Sequence, residues 1–96
     1  MRDDEFEWDD QKAGENFTKH GITFWLARQA FKDVHWHEEL DPDPDEERFN
    51  RLCAVSVDGY EIVLLVTYTE RGTRIRLISA REATTHEQRF YYQNRQ

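Results

Sequence analysis

Glu87 and Tyr91 stand four residues apart near the end of the chain, Arg89 lies between them, and Arg76 and Arg81 precede them. On a helix a four-residue interval puts two side chains on one face. A carboxylate, a guanidinium and a phenol sharing a surface would suit metal-free RNA cleavage by the neighbouring 2′-hydroxyl. They would act as general base, stabiliser of the charged phosphate and proton donor. The pattern Glu-x-x-x-Tyr is also common in helices that use the tyrosine only for packing. His86, beside Glu87, is an equal candidate acid or base, with a solvated helix position as the plainer role. A second polar row comes earlier: Lys12, Asn16 and Lys19 or His20 recur at three- and four-residue spacing and make one helix face, a possible ligand surface. His20 also precedes Gly21, where it would complement a helix C-terminal dipole.

The elements that must carry these residues can be read from periodicity. "EFEWD" alternates like a short half-buried strand, and Asp9 or Asp10 can cap a helix running to about His20, with Gly21 ending it. Ala13 and Phe17 are the expected inward residues of that helix. Thr23 caps a second helix of about ten residues, with Phe24, Ala27, Ala30 and Phe31 inward, ending near Lys32 and Asp33. "VHWHEE" reads as a strand and "LDPDPDEE" as a loop. "RFNRLCAVSV", an Asp58-Gly59 turn and "YEIVLLVTYT" form a hairpin, and a turn at Glu70–Gly72 leads to "TRIRLISA". The expectation is an α+β fold of order β-α-α-β-β-β-β-α, an antiparallel β-meander sheet with helices on one face.

In the last strand, alternation sends Ile75, Leu77 and Ser79 to one face and Arg74, Arg76, Ile78 and Ala80 to the other. Arg81 joins the Leu77 side if the alternation persists. Two capping boxes compete to start the final helix, Ser79 with Glu82 and Thr84 with Glu87. With either start, Arg76 and Arg81 lie near a helix N-terminus and could cradle a phosphate with its N–H groups. Their alternative is to pair with the abundant carboxylates and lace the sheet to a helix.

Other chemistries have less support. His35 and His37 have zinc-like spacing but no evident third ligand. Asp41, Asp43 and Asp45 resemble part of a calcium loop, but Glu46 stands where its turn needs glycine and Leu52 where its bidentate glutamate should be. No metal and no cofactor is expected. Cys53 sits in the apolar run "LCAVSV" as a small buried hydrophobe. The N-terminus has neither the basic start nor the apolar stretch of a secretory signal, and no run is long enough to span a membrane, so a cytoplasmic protein is expected.

Charge divides the chain. The net charge is −7, yet residues 1–50 hold six Lys/Arg against fifteen Asp/Glu while residues 71–96 hold six against two. A general nucleic-acid binder with a basic surface is thereby disfavoured, and two faces with different partners are implied. A non-catalytic module that binds a basic partner through its acidic surface is the rival reading.

"FEWDDQK", Asn16, "KHGITF", Phe31, Asp33, the acidic Asp-Pro loop ending at Arg48, and "VTYTERGTRIRLISAR" with the following "AT" together resemble the BrnT toxin family, in order over nearly the whole chain. The resemblance implies a RelE-like fold, cleavage of RNA that arrests translation, and neutralisation by a BrnA-type antitoxin whose complex contacts operator DNA. Position by position it carries over Phe6 to Asp9, Lys12, Asn16, Lys19 to Gly21, Phe24, Ala27, Arg48, Arg76, Ser79 to Arg81, Ala83, Thr84, Glu87 and Tyr91. On this reading the catalytic candidates are Arg76, Arg81, Glu87, His20, Lys12 and Tyr91, and Arg74, Arg89, Lys19 and Asn16 bind RNA. Glu82, Thr85 and His86 depart from residues commonly basic in the family, and Ala54-Val55 from a common Ile-Gly.

Overall fold

The computed structural model describes residues 1–42 and 45–95; Asp43 of the acidic loop lies outside the described residues. The elements are β1 (Phe6–Glu7), α1 (Asp10–His20), α2 (Phe24–Ala30), β2 (His37–Leu40), β3 (Phe49–Val57), β4 (Tyr60–Arg71), β5 (Arg74–Glu82) and α3 (Thr85–Gln93). This is the order expected from the sequence. The punctuation follows local chemistry. Asp9 accepts from the Lys12 N–H, and Gly21, at φ 70°, closes α1 in the left-handed region that favours glycine. Thr23 caps α2, which tightens over Phe31 to Asp33 into bonds reaching back three residues.

Strands β2 to β5 form an antiparallel meander, with Asp58 and Gly59 both at positive φ in the β3–β4 turn. The five-stranded sheet has the order β1-β5-β4-β3-β2, and β1 pairs with β5 in parallel, Phe6 opposite Ile75 and Glu7 opposite Arg76. The expected purely antiparallel sheet is thus corrected to a mixed one. Nearly the whole fold separates β1 from β5, so no tight turn dictates their relative direction.

Helices cover both faces of this sheet, not one. Val63 and Leu64 are consecutive in β4 and both buried, and side chains alternate across a strand, so each face needs a cover. On one face α1 and α2 enclose Phe6, Trp8, Phe24, Leu64, Tyr68 and Leu77. On the other, α3 lays Tyr91 over Leu52, Ala54, Val63 and Ala83. Cys53 is fully buried in the first cluster, and burial pushes its thiol up to about 12, which removes it as a nucleophile at neutral pH.

Tyr91 is the pin of the second cluster. Its hydroxyl donates to Asp33 Oδ2 at 2.5 Å, and the same oxygen accepts from the Ala54 N–H at 2.9 Å. Burial pushes the tyrosine's pKa far up, and the bond to Asp33 adds to the shift. Tyr91→Phe removes one bond to a carboxylate and keeps the ring, so it should cost about 1–2 kcal/mol, read as a lower midpoint in denaturant with unchanged slope.

Helix α1 lies along the edge of β5 that the two-residue β1 leaves open. Asn16, 6% exposed, is what joins them. Its Nδ2 donates to the Ala80 and Ile22 carbonyls, both at 2.9 Å, and its Oδ1 accepts from the Ala80 N–H at 3.0 Å. The carboxamide takes the place of a neighbouring strand. The expectation that Phe17 points inward is overturned, since Phe17 is 53% exposed and the helix turns Asn16 inward to satisfy the strand edge.

Candidate functional site

The site begins with an irregularity in β5. Thr67 opposes Ser79 while Tyr68 opposes Leu77, so Ile78 is an extra residue without a partner. Such a bulge inverts the alternation beyond it. Leu77 and Ala80 therefore share the buried α1/α2 face. Arg76, Ser79 and Arg81 share the other, opposite Thr69, Thr67 and Leu65. Unbroken alternation would have grouped Ser79 with Leu77 and set Arg76 and Arg81 on opposite faces; the bulge corrects both placements.

Between α1 and this stretch of β5 runs a groove of about 460 Å³. From α1 it is lined by Lys12, Asn16, Lys19 and His20, and from β5 by Arg76 and Ser79. Arg48 and Glu46, from the loop before β3, and Arg71, at the end of β4, close one side. Lys12, Lys19, Arg48, Arg71 and Arg76 are five cations facing the groove, against Asp9, Glu15 and Glu46. In a chain of net charge −7 this is a local reversal of sign. Arg76 Nη1 donates to Glu7 Oε2 at 2.7 Å, so the β1–β5 pairing holds its guanidinium in place. Glu46 accepts from Arg71 at 3.1 Å. Neither lysine is in an ion pair among the described residues, so both have charge to offer a ligand.

The remaining candidates lie apart. Arg81 donates to both oxygens of Glu87, at 2.8 and 3.0 Å, and Glu87 also accepts from the Thr84 N–H as half of the capping box that starts α3. The phosphate cradle expected at this helix start is thus filled by the chain's own carboxylate. Arg81's hydrogen bonds bring Glu87 down to about 2, against the opposing pull of burial. At neutral pH such a carboxylate is a weak base. Arg81 and Arg76 are five residues apart, roughly 15 Å along a strand, and Arg81 does not line the groove. Tyr91 is buried under α3, Arg74 is spent on the Asp3 carbonyl at 2.7 Å, and Arg89 is exposed on α3. Arg71 and Glu15 were not singled out from the sequence, and Glu46 was weighed there only as a position in a calcium-type loop. The hairpin register, which sets Arg71 opposite Arg74, carried a signal for the first; nothing local places the side chain of Glu46.

The Arg81–Glu87 pair makes a testable link to pH. Glu87 lies below its ordinary 4.5 in the folded state, so the stability it confers is complete above about 4.5 and is lost as pH falls toward about 2. The melting temperature of Glu87→Gln should therefore lie below that of the parent at pH 7, and the gap should close between pH 4.5 and 2.

Among the described residues no group of three or more His, Cys, Asp or Glu is arranged to hold a metal, and no helix is long and apolar enough to cross a membrane. His37 instead sets its ring 5.3 Å from that of Phe90, edge to face.

The chain is thus a small α+β domain, acidic overall, with a cationic groove beside a sheet edge. The family described as the ribonuclease toxin BrnT of type II toxin-antitoxin systems matches residues 8–87, and the chain belongs to that family. Membership brings with it an RNA target and an antitoxin protein as partner. No curated protein matches the chain.

Proposed function

We propose that the chain is an endoribonuclease toxin that cleaves RNA without a metal ion in the groove between α1 and β5. Cleavage arrests translation, and a BrnA-type antitoxin neutralises the toxin and brings the pair to operator DNA. The order of elements supports a RelE-like fold. The observation that carries the reading is the convergence of five cations and His20 on one groove of an acidic protein.

In this groove Arg76, held by Glu7, takes the scissile phosphate and stabilises the charge that develops on its oxygens. Lys12 and Lys19 receive the flanking phosphates. His20 takes the proton from the 2′-hydroxyl, a role for which an imidazole is suited near neutral pH. Arg81 braces Glu87 and the start of α3, and Tyr91 and Asn16 hold helices in place. The 2′-hydroxyl is the nucleophile: its oxygen bonds the phosphorus as the P–O5′ bond breaks, the departing 5′-oxygen takes a proton from water, and the upstream fragment keeps a 2′,3′-cyclic phosphate at its 3′ end.

The purified chain should cleave total RNA at an unchanged rate in excess chelator. A rate that collapses on chelation and returns with a divalent ion would overturn the metal-free route. The upstream products should carry a 2′,3′-cyclic phosphate, and the downstream ones, with a free 5′-hydroxyl, should label directly with a kinase without prior removal of a phosphate. RNA left intact by a folded chain that still binds a basic antitoxin would favour the interaction module in place of the enzyme.

A further inference from the structure

β2 is the last strand of the sheet, and among the described residues no strand pairs with its outer side. The Asp41 N–H donates to the Arg48 carbonyl at 2.8 Å, which makes that pair a hydrogen-bonded one. By alternation the 39/50 and 37/52 pairs are bonded too, and the N–H and C=O groups of Glu38 and Leu40 turn outward. Beside this edge, between β2 and α3, lies a cleft of about 410 Å³ with Leu52, Leu65 and Phe90 as apolar walls and His37, Glu39 and His86 around them. Leu40 is 63% and Phe90 46% exposed. An open edge with apolar side chains next to it is an unstable surface to leave bare.

Charge selects the occupant. Residues 33–41, which include β2, carry four Asp or Glu and no Lys or Arg, and Arg51 pairs with one of them, Glu38. RNA is repelled by such a stretch. A second copy of this chain, paired edge to edge, would bring its own exposed Glu39 to the same acidic edge, and like charges brought opposite one another are destabilising. An extended basic segment meets neither obstacle: its backbone continues the sheet at Glu38 and Leu40, its Lys or Arg side chains face the exposed Glu39 carboxylate, and an apolar side chain fills the cleft.

We infer that the cognate antitoxin docks on the outer edge of β2 and the adjoining α3 cleft, through a strand that carries Lys or Arg and at least one large apolar residue. The inference rests on the antitoxin partnership of the reading above and not on its assignment of the groove, which lies along α1 and β5. The antitoxin can therefore be captured at a surface separate from the residues that meet RNA.

Leu40→Pro tests the strand addition, because proline deletes an outward N–H and is tolerated at a sheet edge. Glu39→Lys, at an exposed position, tests the charge. Binding would be titrated calorimetrically between the full chain and the purified antitoxin encoded beside it, with melting and RNA cleavage measured on each free variant. Leu40→Pro is expected to weaken binding at least about tenfold and Glu39→Lys at least about fivefold, with melting and cleavage as in the parent, so that both variants escape neutralisation in cells. Parent-like antitoxin affinity in Glu39→Lys, or in a folded Leu40→Pro, would overturn the inference. So would a free chain that is dimeric and becomes monomeric in Leu40→Pro with antitoxin affinity intact, which would give the edge to a second copy. Loss of cleavage in the parent itself would count against the groove and leave the docking surface standing.

Discussion

Arg76→Ala should fold and lose RNA cleavage by about two to three orders of magnitude, the usual effect of deleting a group that stabilises developing charge. Arg76 is the groove cation with a fixed anchor, its Nη1 donating to Glu7 at 2.7 Å. Glu7 is only partly exposed, so removing its partner costs about 1–3 kcal/mol. Cleavage must therefore be measured well below the melting point, where the variant remains native. Arg76→Lys keeps the charge but not the planar fork, and should recover part of the activity. Arg81→Ala is the informative contrast. It releases Glu87 and loosens the start of α3, so its main expected effect is on stability, with cleavage per folded molecule largely kept. Growth arrest that survives Arg76→Ala but not Arg81→Ala would move the reaction to the start of α3 and make Glu87 its base.

The distinction between those two arginines was not visible in the sequence. Both follow from the one strand "TRIRLISAR", and local pattern places that strand correctly from Arg74 onward. What local pattern does not carry is the bulge at Ile78, because a bulge is a property of two strands in register. The same limit explains the sheet. Capping residues, Gly21 and the Asp58-Gly59 turn are local, so the order of the elements and the ends of α1 were legible, whereas β2 begins at His37 and not Val34, α2 has seven residues and not about ten, and β5 runs past Ala80 to Glu82. The parallel docking of β1 on β5 joins residues about seventy positions apart, and only tertiary packing decides it. Thr84 and Glu87 were readable as one of two capping boxes, but Arg81's two bonds to Glu87, which hold that carboxylate at the start of α3, were not. The polar row Lys12, Asn16, Lys19 and His20 was legible as a face of α1. Its division into an inward Asn16 and outward cations required knowing that a strand edge lies beside it.

That division makes Asn16→Ala the substitution with the largest expected effect on stability. It deletes three hydrogen bonds and leaves the Ala80 N–H and C=O buried without partners, a loss of about 3–5 kcal/mol. For a domain of this size the melting temperature should fall by roughly 15–30 °C. Asn16→Asp should do no better, since a carboxylate accepts from Ala80 N–H but sets its second oxygen against the carbonyls of Ala80 and Ile22. The consequence for function is separable from the loss of stability. Gly14 sits inside α1 with no atom within 4 Å of where a Cβ would stand, so Gly14→Ala should stabilise the helix by about 1 kcal/mol without touching its neighbours. In the double variant Gly14→Ala/Asn16→Ala the helix is strengthened while its attachment to β5 is still missing. If Asn16 only supplies stability, the double variant should regain cleavage in proportion to the native fraction. If Asn16 sets the distance from Lys12, Lys19 and His20 to Arg76, cleavage per native molecule should stay at least about tenfold low, because misplacement of catalytic groups by about 1 Å is costly in rate. The second outcome follows from a groove whose two walls, α1 and β5, are hydrogen-bonded to each other through this carboxamide.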